Sequence, residues 1–130
     1  MKMSKAVYDT RFFIENYYSP DPIIIKKLKA FLGKNKERYI SAIVIHEIYQ
    51  LTLRKEGRET AILRATLLEQ DFRVVNVDAE IAKLSAEIRL NHKMSMADSI
   101  IAATAISLKA ICVSDDLHFT AVSEIKTQWI

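Results

Sequence analysis

The sequence contains few of the residues that break or cross-link a chain. There are two glycines, two prolines and one cysteine among 130 residues. Long disordered linkers are therefore not expected, because such segments are rich in glycine, proline and other polar or small residues. The single cysteine, Cys112, excludes a disulfide within the chain and favours a reducing compartment. It lies in an apolar run, where a thiol is usually a small core residue.

Long apolar segments are also missing. No run approaches the roughly 20 residues of a membrane-spanning helix, and the opening MKMSKAVYD becomes polar too early for a signal peptide. We expect a soluble, cytoplasmic protein without a membrane partner, forming one domain over residues 1–130. The motifs of phosphate-loop, dinucleotide-binding and α/β-hydrolase proteins are excluded, because their glycines are not present at the required spacing.

Positive charge is in slight excess, with 19 basic residues against 16 acidic ones. This excess is compatible with a phosphate-bearing partner but is too common to indicate one. It is concentrated in residues 26–38, KKLKAFLGKNKER. Two interpretations stay open, namely a solvated helix face with its loop, or a strip that contacts a phosphate backbone. The basic residues of this strip are Lys26, Lys27, Lys29, Lys34, Lys36 and Arg38.

Short apolar runs alternate with amphipathic segments along the chain. Strands are predicted at 5–8, 38–42, 72–77 and 110–114, with an edge strand at 125–130. Helices are predicted at 11–18, 22–32, 44–56, 58–70, 79–91 and 96–109. Asp21, Asp78 and Ser95 are the predicted N-caps of the helices that follow them, and Gly33 and Gly57 are predicted to end the helices before them. In the helix at 58–70, the side chains expected to face the core are Ile62, Leu63, Leu67 and Leu68. This order predicts an α/β fold, a three-layer α/β/α sandwich with a mostly parallel central sheet of four or five strands.

Four acidic residues lie at or just after apolar runs, where an unpaired carboxylate is costly to bury. They are Asp9 in AVYDT, Glu47 in IVIHEIYQL, Asp98 in MADSIIAATA and Asp116 in AICVSDDLHF. Asp9 and Asp116 follow predicted strands, and parallel sheets bind ligands outside the carboxyl ends of their strands. Taken singly, Asp9, Asp98 and Asp116 also have an ordinary explanation as helix caps or first-turn residues.

Glu47 is not explained by capping, because it lies in the body of its predicted helix. Its neighbours three and four positions away include Ile43, Val44 and Leu51, so it projects from the apolar face. Four carboxylates that converge on one pocket repel each other unless cations bind between them. The sequence therefore predicts a site for Mg²⁺ or Mn²⁺, which prefer oxygen ligands.

A zinc site is disfavoured, because histidine and cysteine are scarce around these acids. His46 adjoins Glu47 but points to a different side of the helix. His118 follows Asp116 closely, and a surface role is favoured for it.

The acid-bearing strings resemble those of the PIN-domain nucleases, and among these the VapC-type toxins of toxin–antitoxin pairs. The family pattern begins with a strand that ends in Asp-Thr and continues with a Glu on a helix after a Ser-bearing strand end. It then has Ala-Asp before an Ala-rich segment, and finally Thr/Ser-x-Asp-x-x-Phe after a strand. The matching residues are Asp9-Thr10, Ser41 with Glu47, Ala97-Asp98 with AATA, and Ser114, Asp116 and Phe119. Their order agrees from about residue 5 to 125.

The resemblance implies a metal-dependent endoribonuclease with four acids around Mg²⁺ or Mn²⁺, the acids being Asp9, Glu47, Asp98 and Asp116. Thr10 and Ser114 would be polar support for them. Asp115 is an alternative ligand beside Asp116, although the spacing to Phe119 favours Asp116. Arg11 departs from the small or apolar residue of many relatives. It would bind RNA phosphates, as would the basic strip.

The resemblance also implies a homodimer and a small antitoxin that covers the site. Candidates for these interfaces, or for the core, are Phe12, Phe13, Tyr17 and Tyr18. An alternative is a non-catalytic module of the same fold that binds RNA or protein and whose acids only cap helices. A phosphate-accepting receiver domain is disfavoured, because it needs paired acids after the first strand, where this chain has Asp9, Thr10 and Arg11.

Overall fold

The structure, a computed structural model, describes residues 5–34 and 37–130. Within these ranges the strands are β1 (Lys5–Tyr8), β2 (Glu37–Ser41), β3 (Arg73–Val75), β4 (Ile111–Val113) and β5 (Thr127–Gln128). The helices are α1 (Thr10–Tyr18), α2 (Pro22–Lys34), α3 (Ala42–Glu56), α4 (Arg58–Asp71), α5 (Ala79–Asn91), α6 (Met96–Leu108) and α7 (Leu117–Thr120). The strands form one sheet in the order β3-β2-β1-β4-β5, and every neighbouring pair is parallel. The predicted α/β sandwich is confirmed.

The centre of the sheet is β1, which pairs with β2 on one side and β4 on the other. Its side chains Ala6, Val7 and Tyr8 are fully buried, as expected of an apolar strand with layers on both faces. From β1 the chain moves to β2 and β3, and it later returns to β4 and β5 on the opposite side. The crevice beyond the ends of β1 and β4 is therefore the topological switch point of the sheet, where such folds bind ligands.

Helix α6 is buried along most of its length and packs against β1, β2, β4, α3 and α5. Every residue from 99 to 105 is buried, and Ala102, Ala103 and Ala105 are small enough for the helix to approach the sheet closely. The Oγ of Ser95 accepts a 3.0 Å hydrogen bond from the backbone N–H of Asp98, which confirms the predicted cap. This cap positions Asp98 in the first turn of a helix whose residues 99–105 are all buried.

Two other predicted caps are confirmed, and one helix end is corrected. Asp78 Oδ1 accepts from the N–H of Ile81 at 2.9 Å at the start of α5, and Asp21 Oδ1 accepts from the N–H of Ile23 at 2.9 Å at the start of α2. Helix α2 continues through Gly33 to Lys34 instead of ending at the glycine. Gly57, between α3 and α4, has φ 92°, a conformation that favours glycine.

The predicted inward face of α4 is wrong for three of its four residues. Leu68 is buried, but Ile62, Leu63 and Leu67 are exposed, with Leu63 at 58%. Ala61 and Leu68, two turns apart, face the core instead. Arg64 lies near this inward side and is partly buried. A pattern of apolar residues alone does not predict a cation at this position.

Arg64 ties α4 to α1 and α3. Its Nη1 donates to the hydroxyl of Tyr18 and to Oε2 of Glu56, both at 2.6 Å. Its guanidinium also lies 4.1 Å from the centroid of the Tyr17 ring, within cation–π range. Tyr17 and Tyr18 are half-buried within this cluster, whereas Phe12 and Phe13 belong to the core.

The remaining predictions concern the short strands and the thiol. β3 covers Arg73–Val75, so the predicted strand at 72–77 is too long at both ends. β5 is the edge strand predicted near the end of the chain. Cys112 is fully buried, and burial raises its pKa well above the usual value for a thiol. None of the helices in the described ranges combines the length and apolar character needed to cross a membrane.

Candidate metal centre

Asp9 lies directly after β1 and is 2% exposed. Its Oδ2 accepts a 2.7 Å hydrogen bond from the hydroxyl of Ser114, which follows β4. The Oγ of Ser114 also accepts from the backbone N–H of Asp116 at 3.0 Å. One serine therefore connects the ends of two neighbouring strands and holds the Asp9 and Asp116 segments together.

Glu47 lies one turn into α3 and is half-buried. The hydroxyl of Thr10, at the start of α1, donates to its Oε1 at 2.5 Å. Thr10 is itself buried, so this bond orients the carboxylate from a fixed position. The residues predicted to support the acids, Thr10 and Ser114, thus each contact one of them.

Asp98, Asp116 and His118 form a compact group of candidate ligands among the described residues. One ligand atom from each lies within 4.8 Å of the others. Asp116 caps α7, because its Oδ1 accepts from the N–H of His118 at 2.9 Å. The imidazole Nδ1 of His118 lies 3.1 Å from the same oxygen. The His118 ring is exposed, as its predicted surface role requires, but its Nδ1 faces the acids. The only sequence signal for this proximity is that His118 follows Asp116 by two residues.

The electrostatics show that the four acids share one region. Burial raises the pKa of Asp9 to about 7, the Ser114 hydrogen bond opposes this, and the charges of Asp98 and Glu47 raise it further. Burial also raises the pKa of Asp98, and Asp116 and Glu47 add repulsion. Each acid thus interacts electrostatically with at least one other member of the set.

Three of the four acids have no ion-pair partner in the described part of the chain, whereas Asp116 lies beside His118. Within residues 5–34 and 37–130, the ion pairs include none to Asp9, Glu47 or Asp98. A buried carboxylate without a cationic partner is costly. Oxygen donors in this number, joined by at most one imidazole, fit a hard divalent cation such as Mg²⁺ or Mn²⁺ better than zinc. The donor set therefore fits the predicted metal.

Asp115, the alternative ligand, faces a different partner. Both of its carboxylate oxygens bind the guanidinium of Arg11, which holds the pKa of Asp115 below its usual range. It is not in the group formed by Asp98, Asp116 and His118. The geometry thus favours Asp116 over Asp115, as the spacing to Phe119 does.

Arg38 of the basic strip lies away from this edge of the sheet. Arg38 pairs with Ala6 near the start of β1, at the amino edge, while Asp9 follows the opposite end. Its Nη1 donates to the carbonyl of Leu32 at 3.3 Å, and its guanidinium lies over the Phe72 ring. Lys36 lies outside the described residues. The four other lysines are exposed on α2, namely Lys26, Lys27, Lys29 and Lys34.

Comparison with known protein families shows the family to which this chain belongs. The sequence model of the PIN domain matches residues 6–125 of this chain. The chain belongs to the PIN domain family. The resemblance drawn from the four acid-bearing strings is thereby confirmed, although the assignment of each acid as a metal ligand stays a prediction.

Solved structures with the same fold include several toxin–antitoxin assemblies. A DNA-bound VapBC from Salmonella typhimurium has 18% identity and a TM-score of 0.77, covering 98% of each chain. VapC20 from Mycobacterium tuberculosis, described as a sarcin–ricin loop cleaving toxin, has 23% identity and a TM-score of 0.77, covering 94% of this chain and 99% of its own. FitAcB from Neisseria gonorrhoeae has 22% identity and a TM-score of 0.75, covering 94% and 95%. Comparison with curated protein sequences gives no match.

The charge of Asp9 should destabilise this PIN domain when no metal is bound. We expect Asp9→Asn to raise the melting temperature at pH 8 in EDTA by at least about 3 °C, because the amide removes a buried charge and its repulsion with Asp98. Differential scanning calorimetry measures the shift. Asp78→Asn is the matched control, since asparagine caps a helix as well as aspartate does. A lower melting temperature for Asp9→Asn alone would contradict the prediction.

Proposed function

We propose that this PIN domain is a divalent-metal-dependent endoribonuclease and the toxin of a toxin–antitoxin pair. The observation that carries the proposal is the set of carboxylates at the switch point of the sheet, of which Asp9, Glu47 and Asp98 have no ion pair among the described residues. RNA is the proposed substrate because the resemblance implies it, and one relative of the same fold is described as cleaving the sarcin–ricin loop.

The acids divide into ligands and one positioning group. Asp9, Asp98 and Asp116 are the proposed ligands of Mg²⁺ or Mn²⁺, and Glu47 either joins them or orients the attacking water. A bound divalent cation supplies an activated water and neutralises charge on the leaving oxygen of a phosphodiester.

The proposal gives the two oxygens of each carboxylate separate tasks, and the hydrogen bonds of these oxygens support it. Ser114 holds Oδ2 of Asp9, so Oδ1 is the proposed ligand atom. Thr10 holds Oε1 of Glu47, so Oε2 is the one that would accept a proton from the reacting water. Oδ1 of Asp116 accepts from His118, which leaves its Oδ2 for the cation. Oriented carboxylates lose less freedom on binding than mobile ones.

The test is direct sequencing of the ends of RNA cut by the purified protein. The parent protein with Mn²⁺ should give discrete new ends, and neither the parent in EDTA nor the Asp9→Asn variant should give them. Equal cutting by the variant would show that a contaminating nuclease or another site is responsible. Parallel incubation with single-stranded DNA of the same sequence decides whether the substrate is RNA in particular.

The alternative is a non-catalytic binding module whose acids only cap helices. For Asp116 this explanation has support, because it does cap α7. For Asp9 it does not, since its side chain makes no cap hydrogen bond. A binding module predicts no response of the melting temperature to Mn²⁺, whereas a metal site predicts an increase of about 2.7 kcal/mol in unfolding free energy at a hundredfold excess over Kd.

The proposed protein partners are a small antitoxin and a second copy of the chain. They are supported by the relatives of the same fold, which are described as VapBC and toxin–antitoxin complexes. Apolar side chains available for such contacts are exposed on α4, namely Ile62, Leu63 and Leu67. Light scattering of the purified chain distinguishes a monomer from a homodimer.

The contact between Thr10 and Glu47 should matter for activity and little for folding. We expect Thr10→Val to lower metal-dependent cleavage by about 10- to 100-fold, because valine has the same shape but cannot donate to Glu47. Initial cleavage rates and the melting temperature are measured together. Thr66→Val is the matched control, since Thr66 donates only to the backbone of its own exposed helix face. Unchanged cleavage by Thr10→Val would remove Thr10 from the site.

A further inference from the structure

Arg11 and Asp115 form an ion pair at the edge of the acid cluster. Arg11 follows Asp9 and Thr10 at the start of α1, and Asp115 precedes Asp116 after β4. The Nε of Arg11 donates to Oδ1 of Asp115, and its Nη2 donates to Oδ2 at 3.1 Å. The two side chains thus meet through a two-pronged contact across 104 positions of sequence.

This pair faces solvent beside the candidate site. The side chain of Arg11 is 51% exposed and that of Asp115 is 32% exposed. Asp9 and Asp116 lie close enough to contribute to the raised pKa of Arg11, after the larger effect of Asp115. Among the ion pairs of the described residues, this is the one that brings an arginine to the acids.

The same guanidinium geometry binds carboxylate and phosphate. Two parallel N–H groups match two oxygens of either group. Arg11 is two residues from Asp9 in the chain, so an RNA strand bound at the acids would have phosphates near this guanidinium. The carboxylate of Asp115 therefore occupies the donors of Arg11 that a phosphate would need. Because exposed ion pairs are weak, an incoming phosphate is able to displace the Asp115 carboxylate from Arg11.

We propose that Asp115 acts as a tethered competitor for Arg11, and that Arg11 leaves Asp115 to bind an RNA backbone phosphate when substrate enters. The inference rests on the proposed function. It adds a contact between Arg11 and an RNA phosphate, and it names the Asp115 carboxylate as the group that weakens this contact. Neither residue contacts the reacting atoms in this scheme. Their effect falls on RNA affinity and on its dependence on salt.

The competing explanation is a purely structural clip that joins α1 to the segment between β4 and α7. A clip predicts that breaking the pair from either side lowers the melting temperature alike and leaves RNA affinity unchanged. A competitor predicts opposite effects of the two substitutions on RNA affinity. The two explanations are therefore separable by binding measurements.

The experiment is a double-mutant cycle on RNA binding without cleavage. Fluorescence anisotropy of a labelled single-stranded RNA is measured with the full chain in EDTA, and again in an Asp98→Asn background with Mn²⁺. Asp115→Asn should tighten binding by about two- to fivefold, the range of an exposed ion pair. Arg11→Gln should weaken binding and reduce the slope of log affinity against log salt by about 0.7, the value for one phosphate of a single strand.

The decisive comparison is Asp115→Asn in the Arg11→Gln background. Without Arg11, the loss of the Asp115 carboxylate frees no guanidinium for RNA, so we expect Asp115→Asn to change RNA affinity less than twofold in this background. Equal tightening in both backgrounds would mean that Asp115 repels RNA only by its charge, which overturns the inference while the nuclease proposal stands. If neither the parent nor any variant binds RNA, the proposed function fails, and the competitor fails with it.

Discussion

Asp98→Asn is expected to reduce metal-dependent RNA cleavage to background and to leave the fold intact. The carboxylate of Asp98 belongs to the group with Asp116 and His118, so an amide removes one of the few charged donors available to a cation. The cap from Ser95 binds the backbone N–H of residue 98, which asparagine keeps. Cleavage rates, circular dichroism and the change in melting temperature with Mn²⁺ measure the outcome.

Glu80→Gln is the matched control for this substitution. Glu80 occupies the first turn of α5 as Asp98 occupies that of α6, but it is exposed and lies outside the acid cluster. Both acids interact with a helix macrodipole, so this common effect of under about 1 kcal/mol cancels in the comparison. Cleavage at the parent rate by Asp98→Asn would remove this residue from the proposed site.

Ala102→Leu is expected to destabilise the protein strongly through α6. Ala102 is fully buried in the helix that packs against three strands and two helices. A leucine there overpacks the interior at a cost of about 3 kcal/mol, which corresponds to a melting temperature lower by roughly 10 °C. Residue 102 lies one turn after Asp98, so displacement of the helix should also weaken cleavage. Thermal unfolding and cleavage are measured on the same preparation.

Ser107→Leu is the control for added volume on the same helix. Ser107 is exposed near the end of α6, where a larger side chain meets solvent. We expect its melting temperature to stay within about 2 °C of the parent. A small shift for Ala102→Leu as well would show that the contact between α6 and the sheet tolerates larger side chains than its three buried alanines indicate.

The order of the secondary structure and much of the site could be predicted because their signals are local. Strand ends, caps and first turns are set by neighbouring residues, and Asp78, Ser95 and Asp98 occupy the predicted positions. The prediction of the inward face of α4 was wrong because that face is not set by local signals alone. Its apolar residues occupy more than one face, and the face that packs is chosen by contacts of Ala61 and Leu68 with other elements.

Acids at strand ends and on apolar helix faces could be predicted from the sequence, since these positions depend on residue spacing alone. The hydrogen bonds that orient Asp9 and Glu47 depend on the tertiary structure, because those of Ser114 to Asp9 and of Thr10 to Glu47 join residues 105 and 37 positions apart. The tertiary structure likewise pairs Arg11 with Asp115 across 104 positions of sequence. Such contacts depend on how the strands are ordered in space, and this ordering brings the end of β4 beside the end of β1.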